Sequence, residues 1–223
     1  YVGTESNGLK NGSASAADVQ ETASGYRLSG PQAYVGTDGA VETDWSQAAF
    51  WYGANLLGGQ VEILNLNRSS AQGDMRVVPY SRQLARPGDV ELDVSQCPDL
   101  VPPLAAMAAL RAGETTAIVN AARLRLKESD RLESTAAMLR ALGAQVEVHD
   151  SGLTVTGRKV LTGGTVDPQH DHRIAMAAAT AASGSTAPVT VRDCACTDKS
   201  YPRFWTDLSA LKTVPAAENT ELE

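Results

Sequence analysis

Between Arg123 and Arg131 the chain sets four cations and two acids within nine residues: Arg123, Arg125, Lys127 and Arg131, with Glu128 and Asp130 among them. Cations so close repel one another unless an anion lies between them. Arg123, Arg125 and Lys127 alternate with Leu124 and Leu126, the period expected of a strand with one basic face. Leu132, Ala136, Leu139 and Leu142 then recur at helical spacing, and Gly143 stands where a helix would stop. The sequence thus predicts a basic strand end running into a helix N-terminus, with Glu128 beside Lys127 and Arg131. Unsatisfied N–H groups and the helix dipole at such an end favour negative charge. Capture of a phosphate or carboxylate fits this pattern; a solvated charged turn is the plainer alternative.

Other polar residues fall at corresponding places, just before or within the first turn of successive helices. Asp99 precedes Pro102 and Pro103, and proline is best tolerated at a helix start. Asp171, His172 and Arg173 open a later helix, and Lys199 precedes Ser200, an expected N-cap, and Pro202. If the helices stack in parallel, these groups reach one end of the domain as a cleft of cations, acids and helix N-termini. Singly, each has a plainer role: Asp99 as a cap, His172 as a hydrogen-bonded structural residue, Arg173 and Lys199 as surface charges. Their common placement carries the reading. A metal site over Asp167-Pro-Gln-His170-Asp171-His172 is the competing reading, since imidazoles and carboxylates are good ligands. No complementary cluster exists elsewhere in the sequence and Arg173 would oppose a cation, so no metal is expected.

The elements that must hold these residues follow a repeated pattern: a polar opening, an Ala- or Leu-rich helix, a glycine, then a β-rich run. Helices are predicted over 46–57, 99–112, 129–142, 172–183 and 201–211, and strands over 26–30, 61–64, 115–119, 146–148, 153–155 and 189–191. Asp150-Ser-Gly152 reads as a hairpin turn. The segments 104–110 and 174–182 are nearly all apolar and rich in alanine, as expected of buried, closely packed helices. The fold class is therefore α+β, built of structural repeats with helices gathered inside sheets.

The chain has 223 residues, a formal net charge of −7, 43% hydrophobic residues and 5% aromatics. Its length admits one large domain or two small ones. The acidic balance argues against nucleic acid as a partner, which would need a broad basic face. Three cysteines, Cys97, Cys194 and Cys196, are too few and too unevenly spaced for a disulfide framework and read as buried thiols. No signal peptide and no apolar run long enough for a bilayer is seen, so a cytoplasmic location without membrane contact is expected. The chain starts at Tyr1 without a methionine, as a processed protein, a trimmed one or a piece of a longer one would. Residues 1–25 are expected to be a loosely structured lead-in, 26–212 the folded domain and 213–223 a disordered acidic tail.

Arg125-Leu-Lys-Glu-Ser-Asp-Arg131-Leu132 closely resembles a motif of the 3-phosphoshikimate 1-carboxyvinyltransferase, or EPSP synthase, family. Pro98-Asp99, Asp171-His-Arg-Ile-Ala-Met176 and Cys196-Thr-Asp-Lys-Ser-Tyr-Pro202 resemble its other carboxy-terminal motifs, in the same order. The resemblance spans about 26–211. It implies similar domains made of repeated βαβαββ units, parallel helices inside and sheets outside, of which this chain is the second. The family's first half, with its Gly-Asn-Ala-Gly-Thr motif, is not in the sequence and would be needed for a complete site.

The implied reaction transfers the enolpyruvyl group of phosphoenolpyruvate to the 5-hydroxyl of shikimate 3-phosphate, releasing phosphate by addition and elimination, with no metal or other cofactor. By matched position, Asp99 is the base for the hydroxyl proton, and Glu128 protonates and then deprotonates the methylene carbon. Lys127 contacts shikimate 3-phosphate, Arg131 and Arg173 grip the phosphoenolpyruvate carboxylate, and Lys199 holds its phosphate. Arg123 falls where many relatives carry asparagine on the shikimate side, and His172 shapes the site. UDP-N-acetylglucosamine enolpyruvyl transferase, which shares fold and donor, is the alternative within the superfamily. A folded half with only weak anion binding is the alternative outside it, and the fragment alone is expected to be inactive.

Overall fold

The computed structural model describes residues 19–31 and 41–211. Residues 1–18 of the expected lead-in and the tail 213–223 lie outside them. The chain forms β1 (Val19–Thr22), β2 (Gly25–Leu28), α1 (Trp45–Leu56), α2 (Val77–Leu84), β3 (Val90–Asp93), α3 (Val101–Ala108) and β4 (Thr115–Val119). It continues through α4 (Arg131–Ala141), β5 (Gln145–His149), β6 (Gly152–Thr156), β7 (Gly164–Val166), α5 (His172–Ala182), β8 (Val189–Val191) and α6 (Phe204–Ala210).

One complete βαβαββ unit runs from β3 to β6. Its sheet has the order β3-β4-β6-β5, with β3 and β4 parallel and the β5–β6 hairpin antiparallel. A parallel pair needs a crossover, and α3 supplies it. Leu92, Ile118, Val146, Leu153 and Val155 turn inward from this sheet onto the helices. The next segment repeats the opening of the unit as β7, α5 and β8, with β7 and β8 parallel.

The helices fill the interior. All eight residues of α3 are buried, and its Pro102 and Pro103 are tolerated because they stand in the first turn, where no backbone donor is lost. Alanine lets the helices approach closely: Ala175, Ala177, Ala178 and Ala181 of α5 are fully buried. Where α1 meets α5, a Cβ on Gly53 would lie 2.5 Å from Thr180 Cγ2, so only glycine fits without a shift.

Three expectations need correction. Residues 123–127 are not a strand: β4 ends at Val119, Asn120 has φ +62°, and Ala122–Leu126 winds into a 3₁₀ turn. Two leucines two apart would share a face of a strand, but here Leu124 is fully buried and Leu126 is 90% exposed. The predicted strand at 61–64 does not form either. Both backbone groups of Val61 are taken by the side chain of Asn55, at 2.6 and 2.8 Å, leaving them unavailable to a neighbouring strand. Ser200 does not cap the last helix, which begins at Phe204 after Arg203. Of the lead-in expected at 1–25, residues Val19–Thr22 belong to a hairpin with β2. The elements α2, β3 and β7 were not anticipated. The helical spacing of Val77, Tyr80 and Leu84 was the available signal for α2.

Candidate active site

The loop ends that feed α3, α4 and α5 meet at one rim. Their starts coincide there, so these helices run in the same direction, as the sequence led us to expect. Asp99 lies in the 3₁₀ turn Pro98–Leu100 ahead of α3. Asp130 caps α4 by accepting from Glu133 N at 3.3 Å, which places Arg131 in the first turn. Asp171 caps α5 by accepting from Arg173 N at 2.9 Å. Lys199 arrives from the 3₁₀ turn Cys194–Lys199.

Arg125, part of the basic run, secures the rim. It donates to Asp130 at 2.7 Å and to the carbonyls of His149 and Asp150, at 2.9 and 3.0 Å, tying the 122–126 turn to the β5–β6 hairpin.

Arg131 is the centre of the cluster, with its side chain only 1% exposed. Its Nε donates to Asp171 Oδ2 at 2.8 Å and its Nη2 to Oδ1 at 3.2 Å. Nη1 donates to Asp99 Oδ1 at 2.9 Å, and Nη2 also reaches Glu128 Oε2. Asp99 is further paired with Lys127 at 3.3 Å and Arg173 at 3.2 Å, and Glu128 with Lys199 at 2.8 Å. Four cations and three carboxylates thus form one network from residues as distant in sequence as Asp99 and Lys199.

The carboxylates differ in access. Asp171 is fully buried, whereas the side chains of Asp99 and Glu128 are 27% and 25% exposed and can meet a ligand. Burial alone would raise the pKa of Asp99, but Arg173, Lys127 and Arg131 outweigh it and hold the carboxyl below its ordinary value. Burial is outweighed at Glu128 too: the hydrogen bond from Lys199, a backbone hydrogen bond and the charges of Arg131 and Lys199 bring it down to about 2. His172 is buried, Nδ1 has no hydrogen-bond partner, and burial and Arg173 keep its pKa below the ordinary range. Arg173 Nη1 also lacks a partner, leaving a buried donor beside the network.

Of the eight site residues picked from the sequence, Asp99, Lys127, Glu128, Arg131, Arg173 and Lys199 are joined directly by ion pairs. His172 lies among them in the first turn of α5. Arg123 does not join; its Nη2 donates to the carbonyl of Ser95. Sequence reasoning gave Asp171 no role at the site beyond opening a helix. Its position immediately before His172 and Arg173, as a helix cap, was the available signal. Asp171 is engaged by Arg131 and Ser129, and His170 by Asp193. Among the described residues no group of three or more His, Cys, Asp or Glu is placed to hold a metal. The cysteines are unpaired; burial first of all pushes the Cys97 and Cys196 thiols up to about 11. No helix among the described residues is long and apolar enough to cross a membrane.

The largest cavity described, about 670 Å³, lies elsewhere, between α1, α5 and α6. Phe50, Trp51 and Phe204 line it and no titratable side chain does, so it offers none of this chemistry.

The family model described as EPSP synthase (3-phosphoshikimate 1-carboxyvinyltransferase) matches residues 80–208, which hold the whole network. The 3-phosphoshikimate 1-carboxyvinyltransferase of Clostridium acetobutylicum is 45% identical over 199 residues, covering 83% of this chain and 46% of its own. That of Clostridium kluyveri is 40% identical over 206 residues, covering 84% and 48%. A solved EPSP synthase from Acinetobacter baumannii superposes with a TM-score of 0.70 at 25% identity, over 86% of this chain and 51% of that one. The chain spans about half the length of these relatives. By sequence and fold, it belongs to the EPSP synthase family.

Proposed function

We propose that this chain supplies the proton-transfer carboxylates and the donor-gripping cations of a cytoplasmic enzyme. That enzyme moves the enolpyruvyl group of phosphoenolpyruvate to the 5-hydroxyl of shikimate 3-phosphate. One observation carries the reading: Asp99 and Glu128, the two accessible acids of the network, meet the two terminal nitrogens of one buried guanidinium, Asp99 also held by Lys127 and Arg173 and Glu128 by Lys199. Addition and elimination on two polyanions needs this pairing of anion grips with proton carriers. The family membership supports this acceptor over a UDP-sugar.

In the proposed reaction Asp99 takes the hydroxyl proton as the oxygen bonds to the donor's C2, and Glu128 delivers a proton to the methylene carbon. Glu128 then removes a proton from the resulting methyl group as phosphate leaves. Arg131 and Arg173 hold the donor carboxylate, since guanidinium forks match that planar group. Lys199 holds the donor phosphate, Lys127 faces shikimate 3-phosphate, and His172 shapes the wall between them. Arg123 stands at the outer edge on the acceptor side. The rim is open on this half, and the reading takes the other half of the longer relatives as the wall that closes it. No cofactor takes part.

The test is phosphate release with both substrates, measured on this chain alone and together with the first half of a close relative. Turnover should require both pieces. Robust turnover by the 223-residue chain alone would refute the divided site, and no turnover by the pair would count against the reaction.

A further inference from the structure

Every cation of the charged rim is already paired, and of the four only Arg173, through Nη1, keeps a buried donor without a partner. Lys127, Arg131, Arg173 and Lys199 each already face a carboxylate of Asp99, Glu128 or Asp171. Beyond that one donor, an entering anion competes with the acids for the cations it engages. The acids are not equally able to let go. Asp171 is fully buried, chelates Arg131 through both oxygens and caps α5, so its charge has nowhere to go. Asp99 is shared by three cations and keeps two if one leaves. Glu128 has only Arg131 and Lys199, and the Lys199 side chain is 60% exposed, the most of the four. A long, exposed ammonium is the cation most easily re-aimed.

We propose that Lys199 controls the proton on Glu128: an anion entering the rim draws the ammonium away, and the carboxylate left behind takes a proton from solvent. The balance is one proton added to one carboxylate, with no bond to carbon and no redox change. Four cations against three carboxylates leave the empty rim at about +1, and protonation of Glu128 raises it to about +2. That moves the rim toward the roughly −1.5 to −2 of a phosphate monoester near neutrality, to which phosphoenolpyruvate adds its carboxylate. The exchange also loads the acid. With Lys199 and Arg131 in place, Glu128 is held near about 2 and carries no proton to give at neutral pH. Delivering that proton leaves Glu128 a carboxylate able to take one back from the methyl group, and once the phosphate has left Lys199 returns and the regained proton passes to solvent.

The groups around Glu128 permit this. Arg131 of α4 is fixed by Asp171 and cannot follow the anion outward. His172 of α5 is held below its ordinary value by burial and Arg173, so it stays neutral at pH 7 and adds no competing charge. Asp99 reaches Glu128 only through their common partner Arg131, and Arg173 is paired with Asp99.

The inference rests on the proposed function only for the identity of the anion, and the exchange is testable on this chain. Isothermal titration at pH 7 with inorganic phosphate, and separately with phosphoenolpyruvate, in buffers of different ionisation enthalpy counts the protons taken up. Uptake approaching about one proton per anion is expected, falling sharply in Lys199→Met. In the ligand-free Lys199→Met chain, the ¹³C-labelled Glu128 carboxyl, assigned with Glu128→Gln, should titrate at least about one pH unit higher than in the wild type. Lys199 is exposed, so that variant will fold. Phosphoenolpyruvate bound without proton uptake, or an unmoved Glu128 midpoint, would overturn the exchange and leave the donor grip standing. Uptake with phosphate but no phosphoenolpyruvate binding would do the reverse. Failure of both anions to bind would overturn both.

Discussion

Two arginines are buried among the described residues, one beyond each end of α3, and they are held in opposite ways. Arg111 donates to the carbonyls of Leu84 and Arg86, both at 2.9 Å, to that of Gly88 at 2.6 Å, and to Thr116 Oγ1 at 2.9 Å. One carboxylate, Glu114 at 2.7 Å, completes its shell. Arg131 has only carboxylates around its guanidinium, and two of the three have other cations to turn to. Backbone carbonyls are fixed in number and direction, so the Arg111 cage can only hold the 84–88 loop against α3 and β4. The Arg131 cluster has partners that can be exchanged. Burial of a cation therefore says little about function in this domain. The nature of its acceptors says much more.

The largest expected effects come from removing the two guanidiniums. Arg131→Met leaves Asp171 buried without a counter-charge, and loss of one partner of such a pair costs about 3–5 kcal/mol. Phosphoenolpyruvate affinity should collapse as well. Arg111→Met leaves carbonyls unsatisfied beside an exposed loop that water can reach, so roughly 1–3 kcal/mol is expected, with anion affinity unchanged. Urea unfolding and donor titration of both variants would check this. Comparable losses of anion affinity in the two would erase the distinction drawn above.

A smaller effect separates the two ends by pH. The carbonyl acceptors of Arg111 do not titrate, but Asp99 and Glu128 do, and both are held below their ordinary values. A carboxyl whose folded pKa is depressed contributes stability above its unfolded value and loses it as pH falls through the folded one. For Glu128 that window runs from 4.5 down to about 2. Wild-type stability should fall across it more steeply than that of Glu128→Gln, the difference being read from urea midpoints at each pH. Parallel curves would mean that the Glu128 pairs add nothing to folding.

Much of this contrast was legible before the fold was seen. Asp99, Lys127, Arg131, Arg173 and Lys199 could be placed at one rim because each precedes or opens a helix. Parallel helices inside a sheet layer bring such positions together. The pairing itself was not legible, since which acid meets which base depends on side chains far apart in sequence. Arg111 drew no notice for the same reason: its acceptors are mostly backbone groups, which no residue type announces. The 122–126 turn was misread because leucines alternating with cations have the period of a strand, whereas at three residues per turn Leu124 and Leu126 fall on different faces. Only the burial of Leu124 against the exposure of Leu126 separates the two. Val61 failed as a strand residue because an asparagine six positions earlier claimed its backbone.

Arg123 is the sharpest remaining test, because it mixes the two cases. It belongs to the basic run that marks the active rim, yet like Arg111 it donates to a carbonyl, that of Ser95, and unlike Arg111 it is exposed. If acceptor type decides function here, Arg123 should matter little to the donor site. Arg123→Ala should shift stability by no more than about 0.5 kcal/mol, as exposed substitutions away from special features do. Phosphoenolpyruvate affinity should stay at the wild-type value, and any loss should fall on shikimate 3-phosphate and be only a few-fold. A loss of phosphoenolpyruvate affinity as deep as that of Arg131→Met would show that exposed cations of the run bind the donor. The buried carboxylate-held arginine would then be a structural tie no different in kind from Arg111.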